Sequence, residues 1–160
     1  MTDSRFSISS MSYENKADIR ILSSCLSEWF SNPKILHFVA SSARYPFKIQ
    51  QWINQSYLNQ SDTLVLKLDN WIIGHLSIRM NYHTKSAHIF HLIIDPSQQQ
   101  NGYGKKLIQY AEKFILKNDL KKISIKVLKN NQVALSFFEK NGYTIIEKKK
   151  YKKVKMLKYL

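Results

Sequence analysis

The stretch that decides the fold reads Asp95-Pro96-Ser97-Gln98-Gln99-Gln100-Asn101-Gly102-Tyr103-Gly104. It follows an almost wholly apolar segment, residues 87–94, and precedes a segment in which apolar residues recur at helical spacing. A helix that starts after such a turn offers unpaired N–H groups and a partial positive charge. Glycines at that place let the backbone approach an anion closely. The stretch therefore predicts a phosphate site, although the two glycines alone are equally well explained by a tight turn.

Two lysines directly after the glycines favour the phosphate site. Lys105 and Lys106 would stand at the positive end of the helix, where their charges are costly unless an anion is bound. Two other phosphate-binding loops are excluded by the sequence. The dinucleotide fingerprint needs a third glycine where Leu107 stands, and the Walker loop needs a Gly-Lys-Ser/Thr step that the chain lacks.

The rest of the chain predicts a sheet covered by helices. Apolar periodicity and turn residues predict two helices at 19–30 and 49–58, followed by three strands at 63–68, 71–78 and 87–94. They then predict a helix at 107–115, a strand at 123–127, a helix at 131–140 and two strands at 143–146 and 154–160. We expect Asn32-Pro33 to end the first helix, Asp69-Asn70 to form a hairpin turn and Asn141-Gly142 to close the last helix. This order is typical of a mixed α/β fold.

Length and composition indicate one soluble domain over residues 1–160. No apolar run approaches the roughly 18 residues that span a bilayer, and the first residues do not form a secretory signal, so we expect no membrane association. The single cysteine, Cys25, excludes an internal disulfide and fits a cytoplasmic protein. Because Cys25 lies among apolar residues, we expect it to pack in the core rather than to act as a nucleophile.

The charge is concentrated in the last third of the chain. The net charge is +2 over the first 100 residues and +12 over the last 60. Such a field attracts polyanions, including phosphorylated cofactors, although a solvated lysine-rich surface explains it equally well. The most basic run, residues 147–153, contains a single aromatic residue, Tyr151. A nucleic-acid-binding module is therefore the least favoured interpretation.

Residues 87–143 resemble the GNAT superfamily of N-acetyltransferases through two separated motifs. The family pattern Gln/Arg-x-x-Gly-x-Gly/Ala, which follows a hydrophobic-x-Pro strand end, is matched after Ile94-Asp95-Pro96 by Gln99, Gly102 and Gly104. The downstream pattern Asn-x-x-Ala-x-x-Phe-Tyr-x-x-x-Gly-Phe is matched by Asn131, Ala134, Phe137, Gly142 and Tyr143. The resemblance implies a GNAT-like fold, with a central twisted, mostly antiparallel sheet that contains a splayed pair of parallel central strands and is flanked by helices.

The resemblance also implies a cofactor, acetyl-CoA, and the residues that hold it. Backbone N–H groups of the turn would bind the pyrophosphate, with Lys105 beside them, while Ile93 and Ile94 would lie along the pantetheine arm. Asn131 would reach the pantetheine or the edge of the cofactor. The turn residues in this expectation are Gln99, Gln100, Asn101, Gly102, Tyr103 and Gly104.

Two histidines are the candidate catalytic residues. In the family an amine attacks the thioester directly, and a base must first take a proton from the ammonium. His88 stands on the strand where related histone acetyltransferases carry a glutamate, and histidine titrates near neutrality. His91, three residues on, is expected on the opposite face of the strand and is the second choice. Alternatively, both are hydrogen-bonded strand histidines without a catalytic part. No metal site is expected.

One position departs from the family pattern. Phe138 stands where many relatives have a tyrosine that protonates the leaving thiolate, which keeps a second reading open: a CoA-binding regulator that has lost catalysis. We expect Tyr103 and Tyr143 to pack rather than to replace that acid.

The acceptor is expected to be a small-molecule amine or a protein N-terminus. Carboxylates able to bind a cationic acceptor are sparse, which argues mildly against a polycationic drug; they are Glu14, Asp18, Glu28, Asp62 and Asp69. A homodimer is a further expectation, because an exposed last strand could pair between subunits.

Overall fold

The computed structural model describes residues 5–147 and 152–160. Its strands are β1 (Phe6–Met11), β2 (Asp62–Leu68), β3 (Trp71–Asn81), β4 (Ser86–Ile94), β5 (Lys122–Leu128), β6 (Thr144–Glu147) and β7 (Lys153–Tyr159). Its helices are α1 (Lys16–Trp29), α2 (Pro33–Val39), α3 (Ile49–Leu58), α4 (Tyr103–Lys117) and α5 (Gln132–Lys140). The strands form a single seven-stranded sheet in the order β1-β2-β3-β4-β5-β7-β6.

The centre of the sheet divides between β4 and β5. These two strands are parallel and pair only from Ser86–Lys122 to His88–Ser124, whereas the other neighbouring strands are antiparallel. Beyond His88, β4 continues along β3 to Ile94, and β5 continues along β7. The two strands therefore separate, which confirms the predicted mostly antiparallel sheet with a splayed parallel pair.

Helices cover both faces of the sheet. On one face, α4 buries an apolar stripe that includes Leu107 and Ala111 against strand residues such as Leu76. On the other face, α1 contributes Leu22 and Leu26 to a second core cluster. Strand β4 is covered on both faces, as its nearly continuous apolar sequence predicts.

Two elements are present that the sequence reading missed. Strand β1 pairs with β2 along one edge of the sheet, and its alternation of Phe6 and Ile8 with serines is a weak strand signal. Helix α2 begins at Pro33, with the Asn32 side chain accepting a hydrogen bond from the Lys34 N–H at 2.9 Å. Asn32-Pro33 thus follows α1 and also starts α2, because asparagine is a good N-cap and proline suits the first helical position.

Other local predictions are confirmed. Asp69 and Asn70 have φ values of +53° and +65°, as a two-residue hairpin turn requires. Gly142 follows α5 with φ +91°. Cys25 is 1% exposed, and its thiol donates to the Ile72 carbonyl at 3.4 Å, so it is a packing residue. Burial raises the pKa of this thiol to about 12, which makes it a poor nucleophile.

The prediction of an exposed last strand is wrong. Strand β7 lies between β5 and β6, so both of its edges are paired, and the edges of the sheet are β1 and β6. The chain doubles back after β6 and inserts its last strand inside the sheet. Pairing of the last strand between subunits is therefore excluded. Of the basic run at 147–153, residues 148–151 lie outside the described residues.

Candidate functional site

The glycine turn, which we define as residues 99–104, is held in place by the residues before it. The Asp95 carboxylate accepts from the N–H and the hydroxyl of Ser97, both at 2.9 Å, and so caps a single 3-10 turn, Pro96–Gln98. Gln99 then donates from its side chain back to the Ile94 carbonyl at 3.3 Å. These short-range bonds fix where the chain leaves β4 and where α4 begins.

The two glycines of the turn are needed for different reasons. Gly102 is the N-cap of α4 with φ +79°, and a Cβ there would meet nothing within 4 Å, so conformation and not space requires glycine. A Cβ on Gly104 would lie 3.4 Å from the Phe137 ring, which is tight. Gly104 therefore serves the close packing of α4 on α5. Only Gly102 shapes the turn itself.

The backbone N–H groups of residues 99–105 point to an anion site. None of these seven consecutive amides makes a well-formed hydrogen bond with a residue that the structure describes, and those of residues 102–105 precede the helical ladder. The next amide, that of Lys106, donates to the Gly102 carbonyl at 3.2 Å and begins the helical ladder. A row of free N–H groups at the positive end of a 15-residue helix suits a phosphate or pyrophosphate.

The two lysines of the first turn differ in what they contact. The Lys106 ammonium lies over the Phe6 ring, 4.8 Å from its centroid, so it is held by a cation–π contact. Tyr103 stacks on the same ring at 6.0 Å and packs, as expected. Lys105 is exposed and forms no ion pair with any described residue. It is the lysine that remains available to an anion at the turn.

The other residues expected to contact the cofactor differ in what they can offer. The Ile93 side chain is 4% exposed in the cluster under α1, which leaves mainly its backbone to a ligand. Ile94 is half-buried on the opposite face of the sheet. Asn131 caps α5, its side-chain oxygen accepting from the Ala134 N–H at 3.2 Å, while no described hydrogen bond uses its Nδ2. Its amide group can therefore still donate.

A cleft of about 660 Å³ lies over the opening between β4 and β5. Its walls come from the segment between α2 and α3, from α3, and from β3, β4, β5 and β7. His88 and His91 both line it, together with Phe90. No residue of the glycine turn does, so the structure places the two histidines on β4 and the turn beyond the end of that strand.

The prediction that His91 lies on the opposite face from His88 is wrong because of a β-bulge. His91 has φ +51°, and the register with β3 shifts so that Ser77 pairs with Phe90 but His75 pairs with Ile93. One extra residue in β4 reverses the alternation of side chains after Phe90. The bulge brings both histidines into one cleft.

His88 lies where β4 and β5 separate. Its Nδ1 is 2.9 Å from the Ser124 hydroxyl, on the last residue of β5 that pairs with β4. Burial lowers the pKa of His88 to about 4, and the positive charges of Arg79, Lys126 and nearby lysines act in the same direction. His88 is therefore a neutral imidazole at physiological pH and is able to accept a proton.

His91 is held by a hydrogen-bonded group that the sequence reading missed. Its ring stacks on Trp52 with centroids 4.2 Å apart, and its carbonyl lies 2.8 Å from Nδ1 of the fully buried His75. A carbonyl only accepts, so Nδ1 carries the proton and Nε2 can accept from the Tyr13 hydroxyl at 3.5 Å. Trp52 in turn donates to that hydroxyl at 3.1 Å.

The hydrogen-bonded group of His75, Tyr13 and Trp52 holds the bulge at His91 in place, and the burial of His75 and His91 sets their charge state. Burial lowers the pKa of His75 to about 4 and that of His91 to about 3, so both are neutral at physiological pH. A histidine in the middle of the apolar strand β3 is the one signal in the sequence that could have pointed to this arrangement.

The sequence profile of the Acetyltransferase (GNAT) family matches residues 25–143. The chain belongs to the GNAT acetyltransferase family. Both the glycine turn and the two histidines lie inside the matched region. Membership makes the chain an N-acetyltransferase whose acyl donor is acetyl-CoA.

Several relatives of this acetyltransferase are known. A spermidine N(1)-acetyltransferase of Thermoplasma acidophilum is 25% identical over 112 residues, or 68% of either chain. The crystal structure of PaiA N-acetyltransferase from T. acidophilum in complex with coenzyme A has a TM-score of 0.73 at 22% identity, covering 97% of this chain and 99% of that one. Spermidine N-acetyltransferase from Vibrio cholerae, in complex with CoA and spermine, has a TM-score of 0.75 at 20% identity, covering 98% and 96%. Both structural likenesses show the shared fold.

The position of the family tyrosine is filled here by a core residue. Phe138 is 7% exposed and packs edge-on against Phe137 and Tyr143, with centroids 5.1 and 5.5 Å away. The Tyr143 hydroxyl donates to Glu112 at 3.3 Å, and burial together with that carboxylate raises its pKa far above the ordinary value. Tyr143 therefore packs, as expected, and is no replacement acid.

Within residues 5–147 and 152–160, the acetyltransferase has no helix that is both long and apolar enough to cross a bilayer. The same residues contain no group of three or more histidine, cysteine or acidic side chains arranged to hold a metal ion.

Proposed function

We propose that this acetyltransferase holds acetyl-CoA along the opening between β4 and β5 and transfers its acetyl group directly to a primary amine bound in the cleft. The observation that carries the proposal is the row of seven unused amides at residues 99–105, which lies just beyond the end of the strand that carries His88. The pyrophosphate would occupy the amides, with the Lys105 side chain beside it. The thioester would then lie near the point where β4 and β5 separate.

The turn and the strand would hold the cofactor mainly through backbone groups. Bound acetyl-CoA supplies the acetyl group as a thioester whose carbonyl is open to direct attack. The backbone at Ile93 and Ile94 would run beside the pantetheine arm, and the free Nδ2 of Asn131 would donate to it from the other side of the opening. Because these groups belong to a strand and to two helix starts, they are held rigidly before the ligand arrives.

His88 would accept the proton that the attacking ammonium must lose. Its neutral state leaves a lone pair available, and the Ser124 hydroxyl at 2.9 Å fixes the ring and can extend a relay. A pKa of about 4 makes His88 a weak base. The cations around the cleft offset this, since they also lower the pKa of an ammonium bound beside them. His91, held by Trp52 and His75, would be the second polar group facing the acceptor.

No protein acid is needed for the leaving group in this proposal. A thiolate leaves more easily than an alkoxide, and the proton can come from water or from the protonated base. The hydrophobic packing of Phe138 is compatible with that route. The acceptor would be a small-molecule amine or a protein N-terminus, and the enzyme a single cytoplasmic domain.

Two measurements on the purified chain test the proposal. Saturating acetyl-CoA should raise the melting temperature, because a ligand at 100 times its Kd adds about 2.7 kcal/mol to the free energy of unfolding. Release of free thiol in the presence of a panel of amines should then exceed the rate without amine. Stabilisation without amine-dependent thiol release would instead favour the CoA-binding regulator. No stabilisation at all would refute the cofactor site.

A further inference from the structure

The charges that line the acceptor cleft are all of one sign. Among the described residues that form its walls there is no aspartate and no glutamate, and five side chains are cationic: Arg44, Lys48, Arg79, Lys126 and Lys153. They come from the segment before α3 and from β3, β5 and β7, so they surround the cleft rather than line one side of it. A cleft that carries one sign of charge concentrates ligands of the opposite sign.

No carboxylate among the described residues forms an ion pair with these cations. The ion pairs within residues 5–147 and 152–160 involve none of the five; they join Arg5 to Asp69, Lys67 to Asp18 and Lys158 to Glu112. The Arg79 guanidinium donates to the neutral side chain of Asn59 at 3.1 Å. The positive potential of the cleft therefore stays available to a ligand.

The acidic residues that could bind a cationic acceptor lie elsewhere. Asp18 and Asp69 belong to the ion pairs above, and the other three candidates from the sequence do not line the cleft; these are Glu14, Glu28 and Asp62. The pyrophosphate of the cofactor does not account for the cations either, because the glycine turn that would hold it shares no residue with the cleft. The five cations of the cleft are therefore available to bind the acceptor.

We infer that the acceptor is a primary amine that itself carries negative charge, as one or more carboxylate or phosphate groups near the amino group. The inference rests on the proposed function and names its substrate class. The anionic groups would lie among the cations, and the amino group would lie beside the neutral His88. A polyamine with three positive charges would be repelled by the same walls, so the cleft selects against the substrates that the names of two relatives describe.

The test compares amine acceptors that carry negative, neutral or positive groups near the amino group. Thiol release from acetyl-CoA is measured with O-phosphoethanolamine against ethanolamine, with the peptide Ser-Glu-Glu-Ala against Ser-Gln-Gln-Ala and Ser-Lys-Lys-Ala, and with spermidine. The phosphate pair tests a small molecule and the peptides test a protein N-terminus. We expect kcat/KM to be at least about tenfold higher for the anionic member of a set, which corresponds to about 1.4 kcal/mol. Raising the ionic strength should reduce that preference.

Charge-neutral variants locate the effect in the cleft. Replacing Lys126 and Lys153 together by glutamine should raise KM for the anionic acceptor about three- to tenfold more than it raises KM for the neutral analogue. Lys113→Gln is the matched control, because Lys113 is an exposed lysine of α4 outside the cleft. It should leave both KM values unchanged.

The outcomes separate this inference from the proposed function. Suppose that acetyl-CoA stabilises the protein and that spermidine or Ser-Lys-Lys-Ala is acetylated faster than the anionic amines. That result would refute the inference of an anionic acceptor and leave the proposed acetyltransferase function standing. If no amine in the set is acetylated, calorimetric titration of the same amines into the CoA-bound protein decides. Binding of spermidine but of no anionic member refutes the inference, as does the absence of binding by every anionic member.

Discussion

The glycine turn follows strand β4 and the acceptor cleft lies over that strand, but the two are built in opposite ways. The turn offers backbone amides from one contiguous run, residues 99–105, and its side chains mainly fix its shape. The cleft offers side chains, and these come from strands and helices far apart in the sequence. The cofactor is constant across a family, so a backbone site serves it, whereas acceptors vary and are selected by side chains that can be exchanged.

The two regions also differ in charge chemistry. Residues 99–104 of the turn include no acidic residue and no histidine. The cleft contains His88 and His91, and His75 contacts the His91 carbonyl; burial lowers the pKa of all three histidines. Substitutions in the cleft should therefore change turnover with the cofactor still bound. Substitutions in the turn should change cofactor binding with the cleft intact. The following experiments test that separation.

The largest effect is expected from His88→Gln. Glutamine can keep a hydrogen bond to Ser124 but cannot take a proton, so kcat should fall by about 10²-fold or more, within the range that general bases contribute. The Kd of acetyl-CoA, measured by calorimetry, should stay within twofold. His83→Gln, an exposed histidine outside the cleft, is the control. A His88→Gln enzyme with normal kcat would remove the proposed base.

Acidification should destabilise the hydrogen-bonded group around the buried His75. Unfolded histidine binds a proton below its ordinary pKa of 6.5, whereas folded His75 resists protonation until about pH 4. The unfolded state therefore holds more protons in this window, and the free energy of unfolding falls as pH drops through it, by on the order of 3 kcal/mol for His75. Melting temperatures between pH 7 and pH 4 measure the loss, and His75→Gln should remove only the share that His75 contributes, because His88 and His91 also have pKa values lowered by burial. A curve of the same steepness in His75→Gln would contradict the assignment.

The turn should respond to its backbone conformation. Gly102→Val places a β-branched residue at φ +79°, where side chains other than glycine and asparagine are strained by about 1–2 kcal/mol. We expect the turn of the free variant to relax away from this conformation, so that binding must restore it and the Kd of acetyl-CoA rises about tenfold. Gly102→Asn, which tolerates that conformation, should bind almost normally. Equal loss in both variants would indicate that the open space at Gly102, rather than its φ angle, matters.

The smallest effect is expected from Phe138→Tyr. Phe138 packs in the core against Phe137 and Tyr143, and no step of the proposed reaction uses this position. Initial rates with a fixed amine should not fall. A large loss of activity with coenzyme A binding intact would show that the position contacts a catalytic group.

The sequence predicts the turn far better than the cleft. The turn is a local structure: a buried strand, Asp-Pro, glycine at Gly102 and an amphipathic helix are adjacent in the chain, and the second motif fixes the family. The cleft depends on a bulge at His91, and the bulge decides which side chains of β4 share a face. No glycine or proline marks the bulge in the sequence. The pairing of His75 with the His91 carbonyl and the convergence of cations from four separate segments are long-range, so spacing along the chain does not reveal them.

The measurement that tests the central claim most directly is a titration of acetyl-CoA into ¹⁵N-labelled protein, followed through the backbone amide resonances. The account predicts that the largest shifts fall on residues 99–105, because their N–H groups are free to bind the pyrophosphate. In His88→Gln the same shifts should appear at the same concentrations. Saturating acetyl-CoA that leaves the amides of 99–105 unmoved, or that moves the cleft residues instead, would contradict it.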